Sequence, residues 1–293
     1  MKKIIYSGLI LILLGLVGAI ATFVIKNPFL ETKKKEVISA IGVKNIEVAS
    51  ASTDVILTPT KQKDITVQLV GRMSKNMKDN FQLNIDKNDG TIVIGLKNKH
   101  LFNVNFMAFS HTRLEINIPE NEYQSLSIKT TSGDILAKGM HVKKLGVISS
   151  SGDIQLENGT VENQMIIKTS SGDINTNVQN SKTASVSTLS GSMLLKNISG
   201  TINAKSSSGD ISIHPNDKIE GISVEALSGD VLIQTNKKEL PFDINFKAKS
   251  GDGLVKGRNV NYTVKSEHII VGKISTGTIK LKVRTSSGDF MID

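Results

Sequence analysis

Between residues 126 and 293 the chain repeats one phrase, Ser-Gly-Asp followed by an aliphatic residue. Full copies are centred on Gly133, Gly152, Gly172, Gly209, Gly229, Gly251 and Gly288, and a weaker copy is Ser190-Gly191-Ser192. From Gly133 to Gly251 the glycines stand 19, 20, 19, 18, 20 and 22 residues apart. A fixed period near 20 residues marks a stacked repeat, in which each unit covers the hydrophobic face of the next. The chain is thereby constrained to a shape before any single residue is considered.

Alignment on the glycine gives the geometry of one unit. Seven and five residues before it the chain is apolar (Leu126 and Ile128, Leu145 and Val147, Met165 and Ile167), and so it is two and four residues after it (Ile135 and Ala137, Ile154 and Leu156). Apolar positions two apart on both sides of a turn predict two half-buried strands joined by a corner, because strand side chains alternate faces. Three residues before the glycine the side chain is small: Thr130, Ser149, Thr169, Thr188, Ser206, Ala226, Ala248 or Thr285. The glycines Gly133, Gly152, Gly172, Gly209 and Gly229 are expected to supply positive φ at the corner. Beside them Asp134, Asp153, Asp173, Asp210 and Asp230 are expected to bond local amides. A looser return such as Glu157-Asn158-Gly159 then leads to the next strand. Stacked at the sheet spacing of about 4.8 Å, such units give an all-β fold, a β-solenoid. A lone coil cannot offset its own conformational entropy, so the array should fold as one body.

Ile4 to Ile25 is a run of 22 residues without charge, flanked by Lys2-Lys3 and Lys26. That length predicts a transmembrane helix, with residues 1–26 as a membrane anchor. A cleaved signal peptide is the competing reading, since Ala19-Ile20-Ala21 resembles a cleavage site, but the apolar run is longer than a signal core. The short N-terminal tail favours an inside N-terminus, with the bulk of the chain outside the cell membrane. Residues 27–39, with Lys33-Lys34-Lys35, read as a polar tether. Residues 40–120 read as an N-terminal β region that caps the solenoid, with candidate strands at 46–49, 55–58, 65–70, 82–85, 91–96 and 113–118. Within it Ala51-Ser52-Thr53-Asp54 looks like a corner that has lost its glycine. Residues 121–293 are the repeat solenoid, with a C-terminal cap where the period fails after residue 257.

Two features suggest contacts with other molecules. Four residues before each glycine, on the outer face, run Lys129, Ile148, Lys168, Ser187, Lys205, Glu225, Lys247 and Arg284. The basic members Lys129, Lys168, Lys205, Lys247 and Arg284 form an expected stripe for anionic cell-wall polymers or lipid headgroups. The plainer reading is that alternating charge prevents like-charge stacking and edge aggregation. Between His100 and His111 a loop concentrates Phe102, Phe106, Met107 and Phe109, read either as a membrane- or partner-binding loop or as a plug over the solenoid end.

Other chemistries find no constellation. The chain has no cysteine, which excludes disulfides, thiol nucleophiles and thiolate metal sites. The five histidines show no metal-ligand spacing, and no nucleophile-elbow, phosphate-loop or dinucleotide motif occurs. Basic residues are not interleaved with aromatics, so nucleic acid is not an expected partner. A column of corner aspartates could be offset by amides or by bound cations, though the nine-residue calcium-roll pattern is absent. No cofactor and no metal are expected.

The spans Val48–Thr58, Arg113–Pro119 and Leu126–Ile135, with recurring Ser-Ser-Gly-Asp-Ile, resemble the bacterial putative-adhesin repeat family. With its N-terminal anchor the whole chain is similar to the LiaG-like membrane proteins of Gram-positive bacteria. The resemblance implies a β-helix-like domain at the cell surface, sometimes associated with envelope-stress systems, and it brings no catalytic residues. Ser192 and Gly253 depart from the pattern. The expected function is a non-enzymatic, membrane-anchored, adhesin-like solenoid for contacts in the cell envelope, accessory to an envelope-stress response, with anionic cell-wall polymers, lipid headgroups or envelope proteins as partners. The alternatives are a carbohydrate-active enzyme on the same scaffold and a regulatory partner of a membrane sensor.

Overall fold

The structure is a computed structural model that describes residues 29–74, 81–98, 110–179, 182–235, 240–256 and 259–293, together with Leu13 and Gly15. The expected anchor over 4–25, apart from those two residues, and the loop bearing Phe102, Phe106, Met107 and Phe109 lie outside the described residues. Among the described residues no helix is long and apolar enough to cross a membrane.

In chain order the N-terminal strands are β1 (Phe29–Ser39), β2 (Asn45–Ala49), β3 (Asp54–Thr60), β4 (Asp64–Ser74), β5 (Phe81–Asn88), β6 (Thr91–Asn98) and β7 (Ser110–Pro119). The repeats follow as β8 (Glu122–Lys129), β9 (Ile135–Lys138), β10 (His141–Ile148), β11 (Ile154–Lys168), β12 (Ile174–Gln179), β13 (Thr183–Ser190), β14 (Met193–Ser208), β15 (Ile211–Ser228) and β16 (Val231–Ile233). The chain ends with β17 (Phe242–Ser250), β18 (Gly253–Val255), β19 (Val260–Lys265), β20 (Ile269–Ile274), β21 (Ile279–Ser287) and β22 (Phe290–Ile292).

These strands build two parallel columns that meet at the corners. Before the corner, β2, β8, β10, the second half of β11, β13, and the second halves of β14 and β15 stack in that order. After the corner, β3, β9, the first half of β11, β12, the first halves of β14 and β15, and β16 do the same. Register places Ile135 on Ile154 and Ile154 on Ile174, all buried, so the aliphatic rows run lengthwise through one core. The returns are tighter than expected. Around Glu157-Asn158-Gly159 and Lys196-Asn197-Ile198 the chain stays in strand and bulges, with Asn158 at φ 52° and Asn197 at φ 59°. Val142, Val161, Val178, Ile198 and Ile219 turn inward there, so a third buried row closes the coil.

Both ends depart from simple chain order. At the C-terminus β21–β22 slides between the β15–β16 rung and the β17–β18 rung: Ile222 pairs with Leu281, which pairs in turn with Ile244. Residues 279–292 are therefore an interior rung and not the far cap. The cap is β17–β18, with β20 and β19 added antiparallel beyond β17. The N-terminus mirrors this. The β6 and β7 strands pair outside β2 and β3, and β5 and β4 extend them antiparallel. Residues 45–60 are thus a covered rung beneath a later segment. The expected tether is also strand: β1 pairs with β4 along its whole length, from Phe29 against Ser74 to Ser39 against Asp64. Thr32 is buried there, while exposed Lys33 and Lys35 give the free edge the charge that discourages further strand addition. The lysines that suggest a tether in the sequence guard an edge in the fold.

Gly253, where an inner aliphatic residue belongs, is explained by its neighbours. A Cβ there would lie 2.6 Å from Ile270 Cδ1 and 2.7 Å from Phe246. Phe246 stacks on Phe290 at 4.9 Å, and the two rings fill the end of the core.

Among the described residues the hydroxyls of Thr169, Thr176 and Ser206 are buried without a hydrogen-bond partner. Thr176 sits in an inner row between Leu156 and Leu195 and is fully buried. An unpaired buried hydroxyl carries its desolvation cost uncompensated. Thr176→Val, of nearly equal shape, should raise unfolding free energy by about 1–2 kcal/mol in a denaturant titration. A lower midpoint would contradict this account of the row.

Candidate functional site

The corners decide the surface. In spatial order the corner residues are Thr53, Gly133, Gly152, Gly172, Gly191, Gly209, Gly229, Gly288 and Gly251, each glycine seated against the carbonyl of the corner before it in this order. A Cβ on Gly152 would lie 2.1 Å from the Gly133 oxygen, and one on Gly209 would lie 2.2 Å from the Gly191 oxygen. Positive φ is needed only from Gly191 onward, at 131°, 125°, 116°, 127° and 142° for Gly191, Gly209, Gly229, Gly251 and Gly288. At Gly133, Gly152 and Gly172 close approach of the next coil, rather than the expected φ, excludes a side chain. At Thr53 the side-chain hydroxyl meets that of Thr112 at 2.9 Å.

The aspartates form a ladder along the stack, though not through the local amides expected. The Asp134 N–H donates to Asp54 Oδ1 at 3.0 Å, Asp153 N–H to Asp134 at 2.9 Å, and Asp173 N–H to Asp153 at 2.8 Å. Ser192 N–H donates to Asp173, Asp230 N–H to Asp210, Asp289 N–H to Asp230, and Asp252 N–H to Asp289. A carboxylate that accepts an amide from the next coil locks register and offsets repulsion from its neighbours. Asp54, which the eroded corner hides in the sequence, is a member. Among the described residues no group of three acidic or histidine side chains could hold a metal ion. The corner glycines and aspartates are thus engaged in stacking.

On the other side of the corner lies a groove of about 750 Å³. Its floor is the row of small residues: Thr188, Ser206, Ala226, Thr285 and Ala248. One wall is Ser187, Lys205, Glu225, Arg284 and Lys247, the expected outer stripe. The other wall is Leu189, Ser207, Leu227, Ser286 and Lys249. The small floor residues let both neighbouring rows lean outward as the strand bends. Five rungs at about 4.8 Å make the groove about 19 Å long.

Lys205, Lys247 and Arg284 therefore come together, whereas Lys129 and Lys168 share the row but lie on rungs outside the groove. Because β21 is inserted, Arg284 and Lys247 are adjacent, and Glu225 falls between Lys205 and Arg284. Strict alternation of charge fails at this end. Lys205 Nζ lies 2.8 Å from Glu225 Oε2. That bond holds the Glu225 carboxyl below its usual range, with the charges of Lys205, Lys282 and Arg284 acting in the same sense. Among the described residues no ion pair engages Lys247 or Lys249. Leu189 is 58% exposed and Leu227 60% exposed. Both stand two residues before the corner glycine, where other coils carry Thr131, Ser150, Ser170, Ser207, Ser286 or Lys249. Aligning that position would have flagged them in the sequence.

The family model of Toastrack DUF4097 matches residues 43–293. The chain belongs to the Toastrack DUF4097 family. Similar solved structures include a putative adhesin from Bacteroides fragilis, 14% identical, covering 89% of this chain and 97% of that one with a TM-score of 0.50. Another is a putative adhesin from Parabacteroides distasonis, 11% identical, covering 89% and 97% with a TM-score of 0.48. A third, from the same species, is a putative lipid binding protein, 13% identical, covering 90% and 96% with a TM-score of 0.45. Among curated proteins none matches the chain. With the family match, the likeness to the Bacteroides fragilis structure speaks to the fold alone, an all-β, Toastrack-type solenoid.

Proposed function

We propose that this Toastrack solenoid is a non-enzymatic, adhesin-like module for contacts in the cell envelope. In this reading residues 4–25 anchor it in the cell membrane and the solenoid stands outside, as in the LiaG-like proteins of Gram-positive bacteria, in the service of an envelope-stress response. Its binding face is the cationic end of the outer stripe, and its partners are anionic envelope polymers. The observation that carries the reading is the juxtaposition of Arg284, Lys247 and Lys249 on two adjacent rungs beside an open groove. Glycoside hydrolysis commonly calls for two carboxyl groups flanking the bond. Among the described residues the groove lining contains Glu225 as its sole carboxylate, already bonded to Lys205, which favours binding over hydrolysis.

The full chain in phosphatidylcholine nanodiscs, titrated with polyphosphate as a probe polymer, tests this. Lys247→Glu with Arg284→Glu should weaken binding at least about ten-fold, since each basic residue near an anionic surface contributes about 1 kcal/mol. The affinity should also fall as salt rises. Unchanged binding in the double variant would remove the proposed face.

A further inference from the structure

The groove is polarised along its length. Its cationic end is built from Arg284 on the Gly288 rung and from Lys247 and Lys249 on the Gly251 rung. Toward the Gly191 rung the charge is neutralised in the Lys205–Glu225 pair, and the lining turns apolar through Ala226, Leu227 and Leu189. Leu227 and Leu189 lie two rungs apart with Ser207 between them, so a chain laid along the axis touches both. Leucines this exposed are mostly outside the solenoid's own core, and both line the same groove beside its cationic end. A polymer of repeating anions would leave these leucines unused. A ligand charged at one end and apolar at the other uses the whole groove.

We infer that the groove binds an anionic amphiphile, a single hydrocarbon chain bearing a negatively charged head. The head sits over Arg284, Lys247 and Lys249, and the chain runs across Ala226 and between Leu227 and Leu189. The inference rests on the groove being the binding face, and adds that the occupant is lipid-like. The floor is a single row of small residues in register along the stack, Thr188, Ser206, Ala226, Thr285 and Ala248. It accepts one chain lying parallel to the stack axis.

The chain has no cysteine, so Ser207→Cys provides a unique site for an environment-sensitive dye on the groove wall. The labelled full chain in phosphatidylcholine nanodiscs is titrated with octyl phosphate, with inorganic phosphate, and with octyl phosphocholine. Octyl phosphate should bind at least about ten-fold more tightly than either comparison probe, because the chain buries apolar surface and the head meets cations. Leu189→Ser with Leu227→Ser should remove that advantage while leaving polyphosphate binding intact. Both leucines are exposed, so the variant should melt with the parent. Octyl phosphate binding no better than inorganic phosphate overturns the inference, and retained polyphosphate binding would then leave the envelope-contact reading standing. Equal binding of octyl phosphocholine, or no effect of the leucine changes, overturns it as well. Loss of polyphosphate binding in the Lys247→Glu, Arg284→Glu variant bears on the function alone.

Discussion

Gly209→Ala is expected to cost about 2–5 kcal/mol of folding stability, one of the largest effects available to a single methyl group in this protein. Two penalties combine. The new Cβ would lie 2.2 Å from the Gly191 carbonyl oxygen and 2.6 Å from its carbon, so one coil must move away from the next. Forced overpacking of this kind costs about 1–3 kcal/mol. The residue also holds φ 125°, which an L side chain adopts at a cost of about 1–2 kcal/mol. Parting the coils would also stretch the bond from Gly191 N–H to the Ser208 oxygen, now 3.1 Å. Gly152→Ala isolates the first penalty, because close approach alone excludes its Cβ. Gly146→Ala is the control: it lies in β10, with nothing within 4 Å of the place its methyl group would take. There alanine should be neutral or stabilising by up to about 1 kcal/mol, through the unfolded chain. Chemical denaturation of the three variants checks the ranking, and a Gly209→Ala midpoint equal to that of Gly146→Ala would refute the stacked-carbonyl account.

Deleting residues 279–293 should unfold the whole C-terminal end, not merely shorten it. In a solenoid that grows in chain order, loss of the last coil leaves the previous one intact. Here β21 and β22 lie between β15–β16 and β17–β18, so the deletion removes the partner of both. It also withdraws the buried Leu281, Val283, Phe290 and Ile292 from the core, at about 1.5–3 kcal/mol each. Phe246 loses the ring it stacks on. Hydrogen exchange should show Phe242–Ser250 losing protection with the deletion, while Ile135, Ile154 and Ile174 stay protected. Persistent protection of Phe242–Ser250 would mean that the cap docks without the inserted rung. The same arrangement at the other end, where the β6 and β7 strands cover β2–β3, keeps the early rung from fraying first.

Much of the fold is legible in the sequence because its cause is local and repeated. The alternation around Leu126 to Ala137 recurs coil after coil, so faces, corners and small inner residues follow from counting. The need for glycine is legible too, although its reason at Gly152 is contact between coils and not backbone conformation. The candidate site is half legible. Lys205, Lys247 and Arg284 appear by alignment, and Leu189 and Leu227 stand out there as apolar residues where the other coils are polar, but nothing in the order of residues joins the two sets into one groove. Their exposure depends on which way the strand leans as it enters the corner.

The period, the two faces of each strand and the positions where no side chain fits are written in the order of residues alone. Side-chain alternation and steric exclusion act within a few residues and leave their mark on residue type. The order of the rungs at the two ends, the strand at 29–39, and the meeting of Arg284 with Glu225 and Lys247 emerge only in three dimensions. Backbone hydrogen bonds between parallel coils are the same whichever coil supplies them, so no local pattern records which coil lies next to which. That choice belongs to the packing of the whole stack, through Phe246, Phe290 and Ile270 closing one end and β1, β4 and β5 edging the other.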